Sequence, residues 1–359
     1  MKIALAHEML IKLGGAERVL KTLTRIFPEA PIYTLFADKA KTDKWFADKK
    51  IHVSRLQSAA RWLPYKFLLP KMAGAVERFD LRSYDVVISS SSAFAHGIKT
   101  GPKTKHICYC HSPMRYAWDY THEYTEHYSA IGRFIVAKLL NPIRQWDYRR
   151  ARDVDVIVAN SRHVQKRIDK YWRRDATVIY PPVDVKRFTP TARHEDYFLI
   201  VSALTPFKKI DLAIQAFNRI KRKLVIVGEG AQKEALQAMA GDTIEFLGYK
   251  PDETVRTYME NCRALIFPGE EDFGITPVEA MAAGKPVLAY GVGGVTESVV
   301  AGTSGEFFSE PNPESLIQGL TRLMANEKNY DAQKIRAIAE KFDESVFKDK
   351  MLNLISSLS

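Results

Sequence analysis

The chain has few cysteines and no long apolar run. Three cysteines occur among 359 residues, and this small, odd number favours reduced thiols and a cytoplasmic location over a disulfide framework. No stretch approaches the roughly 18 uncharged apolar residues of a membrane-spanning helix. The N-terminus is too short in apolar residues for a secretory signal, so we interpret residues 3–6 as a first core strand.

Motifs of several other enzyme classes are also missing. No P-loop occurs, and Gly228–Glu229–Gly230 lacks the third glycine and the ribose-binding acid of a nicotinamide site. Cys108, Cys110 and His111 lie close together, but strand alternation places both cysteines on one face, which favours buried thiols over a metal site. The acid pair Asp153 and Asp155 could also suggest a metal site, but it leads into an apolar strand, which favours a loop at the start of that strand. The sequence therefore predicts no bound metal and no cofactor.

Charge is divided unevenly along the chain. The net charge is +11; residues 1–189 contain 34 lysines and arginines against 18 acidic residues, and residues 190–359 contain 19 against 24. A uniformly basic chain would suggest nucleic acid as a partner. This division instead indicates that the first half faces an anionic surface or substrate. A solvated basic face without a partner is the alternative.

Short apolar strands alternate with helical segments along most of the chain. This alternation predicts parallel sheets covered by helices on both faces. The consecutive prolines at 181 and 182 indicate a linker. We therefore predict two Rossmann-like α/β domains at residues 1–187 and 188–340. The amphipathic segment 341–359 is expected to form a helix that packs back on the N-terminal domain.

The most informative stretch is residues 267–299. Glu271 and Glu279 lie eight positions apart, a helix start at Gly274 lies between them, and a glycine-rich turn follows the next apolar run. This order places a helix N-terminus and backbone N–H groups beside two carboxylates. Such a site suits a ligand that carries both phosphates and sugar hydroxyls.

Two segments combine basic with apolar side chains, a composition that suits a membrane interface. They are residues 53–82 and residues 128–150. Packing of their apolar faces inside the N-terminal domain is the alternative. The candidate residues for acceptor or membrane contact are Arg61, Trp62, Lys66, Lys71 and Arg115.

With these motifs placed, the chain resembles the retaining glycosyltransferases of family 4, which have the two-Rossmann GT-B architecture with sheets facing an interdomain cleft. The resemblance covers nearly the whole length. Within the family it is similar to the mannosyltransferase-like branch that builds bacterial surface polysaccharides. It is carried by the glutamate pair and by the blocks HEMLIKLGGAERVL, DVVISSSSAFAHG, YCHSPMRYAWD, NSRHVQKRI, YPPVD and SALTPFKKIDLAIQAF.

The resemblance implies roles for individual residues. Glu279 would bind the ribose hydroxyls, and Glu271 would contact the donor sugar and stabilise positive charge at its anomeric carbon. A simple charge near a helix N-terminus is the alternative for both. Lys208 would neutralise the leaving diphosphate, with its neighbour Lys209 as the alternative ligand. Many family members have an arginine where this chain has Ala203, so the site relies either on Lys208 and backbone dipoles or on another cation, for which Arg115 is the candidate.

Further contacts follow from the same resemblance. Backbone N–H groups of Phe273, Gly274 and Ile275 would face the donor. Gly14 and Gly15 would let backbone N–H groups approach the diphosphate, with a simple tight turn as the alternative. His111 would contact the donor sugar near the scissile bond, with a strand-end structural histidine as the alternative; His7 is a weaker candidate for the same site. Tyr249 and Lys250 would lie near the base.

The sequence thus predicts a metal-independent, retaining hexosyltransferase at the cytoplasmic face of the membrane. Its expected donor is GDP-mannose, with a UDP-sugar as the second choice, and its expected acceptor is a lipid-linked or growing glycan. The alternatives are a GT-B nucleotide-sugar epimerase or hydrolase, and a non-catalytic module that binds anionic surfaces. Nucleic acid is not an expected partner.

Overall fold

The computed structural model describes residues 1–119 and 129–358. The chain divides into two compact units. One contains Met1–Tyr180 together with Lys348–Ser359, and the other contains Pro181–Phe347. Each unit is built on a single parallel sheet, which confirms the predicted α/β class. No helix in the described part of the chain is long and apolar enough to cross a membrane.

The first unit has a seven-stranded sheet in the order β3-β2-β1-β4-β5-β6-β7. Its strands are β1 (Ile3–Leu10), β2 (Ile32–Ala37), β3 (Ile51–Val53), β4 (Val86–Ser91), β5 (Lys105–Cys110), β6 (Val156–Ala159) and β7 (Thr177–Val178). Its helices are α1 (Gly15–Ile26), α2 (Lys39–Phe46), α3 (Leu56–Ala59), α4 (Tyr65–Val76), α5 (Arg115–Trp118), α6 (Ala130–Arg152) and α7 (Arg162–Trp172).

The second unit has a six-stranded sheet in the order β10-β9-β8-β11-β12-β13. Its strands are β8 (Phe198–Val201), β9 (Leu224–Val227), β10 (Ile244–Gly248), β11 (Ala264–Phe267), β12 (Val287–Tyr290) and β13 (Gly305–Phe308). Its helices are α8 (Ile210–Ile220), α9 (Lys233–Met239), α10 (Asp252–Asn261), α11 (Ile275–Ala282), α12 (Pro313–Ala325) and α13 (Ala332–Ala339). The last helix, α14 (Glu344–Ser356), begins in the second unit, and its residues from Lys348 onward belong to the first unit.

The central strands are short apolar runs because both faces of each sheet are covered. All residues of β9 and β11 are buried, for example, as the continuous runs LVIV and ALIF predict. Helix α8 buries one face, including Ile210, Ile214 and Phe217, against these strands. The core therefore follows directly from the hydrophobic pattern.

The two basic and apolar segments are largely helical. Residues 53–82 contain α3 and α4, and residues 129–150 lie in or directly before α6, whereas residue 128 lies outside the described part. Helices α4 and α6 each contain an internal proline, Pro70 and Pro142. Proline usually interrupts a helix, and this explains why the sequence pattern gave no clear element for residues 53–82.

A buried acid–histidine pair fastens α6 to the first sheet. Asp147 accepts hydrogen bonds from the indole N–H groups of Trp118 and Trp172 over 2.8 and 2.6 Å. Its other oxygen lies 3.4 Å from Nε2 of His96. Burial raises the pKa of Asp147 to about 7 and lowers the pKa of His96 to about 4. Between pH of about 4 and about 7 the folded pair therefore holds about one proton.

This pair predicts opposite pH dependences for two variants. Between pH of about 4 and 6.5 the folded pair and the unfolded pair each bind one proton, so stability does not vary with pH on their account. In Asp147→Asn only His96 remains, and its lowered pKa makes stability fall as pH falls below about 6.5. In His96→Gln only Asp147 remains, and its raised pKa makes stability fall as pH rises from about 4 to 7.

Urea unfolding followed by tryptophan fluorescence tests this prediction. All five tryptophans precede residue 181, so the signal reports on the first unit. The free energy of unfolding is measured as a function of pH. Its slope against pH is expected to differ from that of the parent protein by up to about 1.4 kcal/mol per pH unit, with opposite signs in the two variants. Burial also lowers the pKa of His106, to about 3, but this affects all three proteins alike. Equal slopes in both variants would contradict the prediction.

Candidate active site

The second sheet changes direction between β8 and β11. From β8 the chain continues through α8 into β9 on one side, while β11 pairs with β8 on the other. In open parallel sheets, ligands bind in the crevice at the carboxyl ends of two such strands. The loops at this point, residues 202–209 and 268–274, contain most of the predicted donor-binding residues.

Glycines allow the loops at this edge to approach one another. A Cβ atom on Gly269 would lie 2.7 Å from the carbonyl oxygen of Phe207, and one on Gly293 would lie 2.5 Å from that of Glu271. Gly293 also has φ of +85°, which favours glycine. The N–H of Gly294 donates to the carbonyl of Glu271 over 2.8 Å. The glycine turn after β12 therefore fixes the loop that carries Glu271.

Lys208 and Glu271 meet in this crevice. Lys208 ends a 3₁₀ turn after β8, and its Nζ donates to Oε1 of Glu271. The two side chains are 26% and 24% exposed, so both can reach a ligand. An ammonium and a carboxylate side by side offer separate contacts to phosphates and to hydroxyls. The alternative ligand Lys209 has φ of +50° and forms the N-cap of α8.

Glu279 lies in the second turn of α11 and is 5% exposed. The first turn of α11 contains no acidic residue. The interaction of a charge with the helix dipole falls off beyond the first turn. A simple charge near the helix N-terminus therefore does not explain a glutamate at position 279. Gly274 precedes the helix with φ of +87°, a value that favours glycine.

The predicted backbone donors lie at the start of α11. Phe273 is buried and its ring lies 5.4 Å from that of Phe342, which anchors the residues just before the helix. Gly274 is the N-cap and Ile275 the first helical residue. The first N–H groups of a helix have no acceptor within the helix, so this segment suits an anionic ligand.

Tyr249 and Lys250 are not brought next to Lys208 and Glu271. They follow β10, the edge strand, which is two strands from β8. Tyr249 is 74% exposed, and its N–H donates to Oε1 of Glu229 over 3.3 Å. Their role in recognising the base stays a prediction.

The first sheet also changes direction, between β1 and β4. Gly14 caps α1 beside it, and the N–H of Gly14 donates to Oε2 of Glu17 over 2.8 Å. Gly15 is the first helical residue. A carboxylate of the chain itself thus occupies one N–H group that we had predicted to face the diphosphate.

A continuous row of hydrogen bonds links Glu17 to His111 in this unit. Nε2 of His7 lies 3.5 Å from Oε1 of Glu17, and Nδ1 of His7 lies 3.1 Å from Oγ of Ser90. The same Oγ lies 2.8 Å from Nε2 of His111. Burial raises the pKa of Glu17, but the contact with His7, a backbone hydrogen bond and the charge of Lys12 together outweigh it, so the pKa is below its ordinary value. Glu17 is therefore ionised near neutral pH.

A second carboxylate near this edge organises the loop after β4. Buried Glu8 accepts hydrogen bonds from the Ser91 hydroxyl over 3.0 Å and from the N–H groups of Ser92, Ala93 and Ala95 over 2.7, 2.8 and 2.8 Å. These bonds hold the loop that follows Ser90. The pairing of β4 with β5, extended by the bond of 2.7 Å from the N–H of His111 to the carbonyl of Ser91, keeps Ser90 and His111 in register.

Comparisons with known proteins identify the family of the chain. The model for family 4 glycosyltransferases matches residues 13–187, and the model for group 1 glycosyl transferases matches residues 184–341. The chain belongs to the family 4 glycosyltransferases. Together the two matches cover both units.

Individual relatives have low sequence identity to this chain and match only part of it. An uncharacterised glycosyltransferase of Methanocaldococcus jannaschii is 31% identical over 179 residues, which cover 48% of this chain and 51% of that protein. The chain thus spans about half the length of that relative. The O-antigen chain mannosyltransferase C of Escherichia coli is 26% identical over 259 residues, covering 65% of this chain and 68% of that protein.

The structure of HepE from Anabaena in complex with UDP superposes with a TM-score of 0.75 at 20% identity, and the match covers 99% of this chain and 100% of that one. At this identity the match shows the fold alone. The chain therefore has the GT-B fold that the sequence resemblance implied.

The remaining predicted residues of this family 4 enzyme are distributed over the first unit. Arg61 and Lys71 are exposed, Trp62 is 85% exposed, and Arg115 begins α5. The side chain of Lys66 lies outside the described part. In the second unit, the carbonyl of Ala203 accepts a hydrogen bond from the N–H of Thr205 over 3.0 Å.

Sequence reasoning missed Ser90, Glu17 and Glu8. The partners of Ser90 and Glu8 lie far away in the chain: His7 and Ser90, for example, are 83 residues apart and pair across β1 and β4. Glu17 lies only 10 residues from His7, but its contact with His7 leaves no pattern in the sequence. Only the polar run SSSS at the end of an otherwise apolar strand hinted at a site there. Among the described residues, no group of three or more His, Cys, Asp or Glu side chains is arranged to hold a metal ion.

Proposed function

We propose that this protein transfers a hexose from a nucleotide-sugar to a lipid-linked or growing glycan, with retention of the anomeric configuration and without a bound metal. The observation that carries the proposal is the meeting of Lys208 with Glu271 at the change of direction in the second sheet. This is where a parallel sheet binds phosphates. The same place offers a cation for the diphosphate and a carboxylate for the sugar.

The proposed reaction needs no covalent intermediate with the enzyme. The bond between the anomeric carbon and the diphosphate oxygen breaks, and its electron pair remains on the diphosphate. Lys208 stabilises this leaving group, and Glu271 stabilises the positive charge that develops on the sugar. The acceptor hydroxyl forms the new bond on the same face and passes its proton to the leaving phosphate.

Mannose from GDP-mannose is the donor that we favour. The support is the similarity to the O-antigen mannosyltransferase and to the mannosyltransferase-like branch, whereas the structural neighbour HepE was solved with UDP. A thermal-shift screen with GDP-, UDP- and ADP-sugars separates these donors, because a ligand that binds only the folded state raises Tm. Stabilisation by a UDP-sugar and none by GDP-mannose would reject our choice.

Glu279→Ala tests whether the protein is a transferase at all. Loss of a buried carboxylate that binds two ribose hydroxyls is expected to weaken donor binding by about 2–3 kcal/mol, or roughly 30- to 150-fold. Calorimetric titration with the donor from the screen measures this change, with Glu297→Ala as a control on the neighbouring loop. A module that only binds anionic surfaces would keep its affinity for them and show no donor binding in either form. An epimerase or hydrolase would bind donor and consume it without an acceptor.

We further propose that the first unit contacts an anionic membrane through α4 and the turn before it. Trp62, Leu63 and Phe67 are 85%, 48% and 62% exposed. In the same part of the chain, a cavity of about 680 Å³ is lined by Arg55, Lys71 and Arg78 among others. No described carboxylate pairs with these three cations, so their charge is available to an anionic headgroup.

Binding to lipid vesicles measures this contact. Arg55, Lys71 and Arg78 changed together to Glu should abolish binding to vesicles with about 30% anionic lipid, since each cation near such a surface contributes about 1 kcal/mol. The control changes Arg219, Arg222 and Lys223 of the second unit to Glu, which alters net charge equally. Equal loss in both triple variants would show that net charge alone determines binding, and no loss in the first would remove the proposal.

A further inference from the structure

The hydrogen-bonded row from Glu17 to His111 determines which nitrogen of His111 carries hydrogen. A neutral imidazole has one N–H donor and one acceptor nitrogen, and its surroundings select between the two tautomers. The selection matters at a sugar site, because an acceptor nitrogen and a donor N–H orient a substrate hydroxyl in opposite ways. The four residues of the row are all in the first unit.

The row can be followed atom by atom. An ionised carboxylate only accepts hydrogen bonds, so Nε2 of His7 must carry the hydrogen that faces Glu17. In a neutral ring Nδ1 of His7 is then an acceptor, and among the described residues the group that faces it with a hydrogen is the Ser90 hydroxyl. With that hydrogen directed at His7, the Ser90 oxygen accepts from His111. Nε2 of His111 therefore carries hydrogen and Nδ1 carries the lone pair.

We propose that Glu17, His7 and Ser90 are positioning residues that hold neutral His111 in the Nε2–H tautomer, so that Nδ1 acts as a hydrogen-bond acceptor for a sugar hydroxyl. The functional half of this inference rests on the proposed transferase activity and on the placement of His111 at the sugar. The tautomer itself follows from the contacts described above when Glu17 is ionised and His7 is neutral. Burial isolates the row from exchange with water, since Ser90 is fully buried and His7 is 3% exposed.

Glu17→Gln should invert the whole row without changing its shape. One oxygen of Glu17 accepts the N–H of Gly14 over 2.8 Å, so the amide oxygen of a glutamine must stay there. Its NH₂ group then faces Nε2 of His7 and makes that nitrogen an acceptor. His7 would carry hydrogen on Nδ1 and donate to Ser90, and the Ser90 hydroxyl would donate to His111. His111 would be left with hydrogen on Nδ1.

Nitrogen NMR of the protein with ¹⁵N-labelled histidine tests the inversion. The spectra are recorded at pH of about 8.5, two units above the ordinary histidine pKa of about 6.5, and glutamine replacements of His7 and His111 assign their signals among the nine histidines. The parent protein should show Nε2 of His111 protonated, and Glu17→Gln should show Nδ1 protonated. A parent with Nδ1 protonated, or a variant with the parent tautomer, overturns the proposal.

Kinetics test the functional half with a matched pair of serines. Ser90→Ala breaks the row, whereas Ser89→Ala removes a buried serine–histidine contact of the same 2.8 Å length, to His106, on the other face of β4. Glu17→Gln and Ser90→Ala should lower kcat at least tenfold with little change in the donor KM, and Ser89→Ala should not. An inverted tautomer with unchanged kcat overturns the functional half. A parent protein that binds nucleotide-sugar but transfers no sugar counts against the proposed function and leaves the tautomer result standing.

Discussion

Replacement of Glu271 with glutamine is expected to lower kcat for sugar transfer by about 100-fold or more. Glutamine retains the size of glutamate and one acceptor oxygen, but it removes the negative charge that faces the developing positive charge on the sugar. Because this interaction is strongest in the transition state, kcat should fall far more than donor affinity. The backbone bond from Gly294 to residue 271 is unaffected by the change, so the loop should keep its place.

The partner residue should behave differently. Lys208→Gln removes the positive charge that neutralises the leaving diphosphate, so it is expected to lower both donor affinity and kcat. Since Lys208 and Glu271 contact each other, the double variant should lose less than the sum of the two single losses. Lys209→Gln is the matched control one position along the chain. Initial rates over a range of donor concentrations separate these effects.

Two outcomes would reject this assignment. If Glu271→Gln keeps kcat within about twofold, the carboxylate has no role in charge stabilisation. If Lys209→Gln loses more activity than Lys208→Gln, the alternative lysine is the diphosphate ligand. Stability should change little in any of these variants, because a partly exposed ion pair contributes about 1 kcal/mol or less. Thermal unfolding without ligand provides that check.

Much of the second unit could be predicted because its signals are local. Each strand is one continuous apolar run, and Gly274 marks the start of α11 in the sequence itself. Glu271 and Lys208 are 63 residues apart, but each lies in the loop that follows a strand, and the carboxyl ends of parallel strands share one edge of the sheet. The strand pattern thus places both residues at this edge, whereas the role of Lys208 came from the family resemblance.

The first unit could be predicted less fully because its site depends on register. His7 meets Ser90 only because β1 and β4 pair in one particular alignment. A shift by one residue would turn every side chain to the other face, and no local pattern fixes that alignment. Glu17 likewise reads as an ordinary acidic residue in the first turn of a helix, and only the folded structure shows that it contacts both Gly14 and His7.

Removal of the Glu8 carboxylate is the stability change with the largest expected effect. Glu8 is 7% exposed and accepts four hydrogen bonds, three of them from backbone N–H groups. Glu8→Ala leaves these donors without their acceptor inside the protein. Breaking a buried charged network in this way costs about 3–5 kcal/mol. The first unit should therefore unfold at a clearly lower urea concentration.

Glu8→Gln distinguishes the need for charge from the need for volume. Ser92 donates to one carboxylate oxygen, while Ala93 and Ala95 donate to the other. A glutamine amide has only one oxygen, so its NH₂ group must face at least one of these N–H groups. We therefore expect a loss of about 1–3 kcal/mol even though the side chain has the same size. Tryptophan fluorescence reports this unit alone, and Glu29→Ala, an exposed position in the same unit, should stay within about 0.5 kcal/mol of the parent. A glutamine variant as stable as the parent would show that Glu8 fills space and that the loop after β4 holds its shape without an anion.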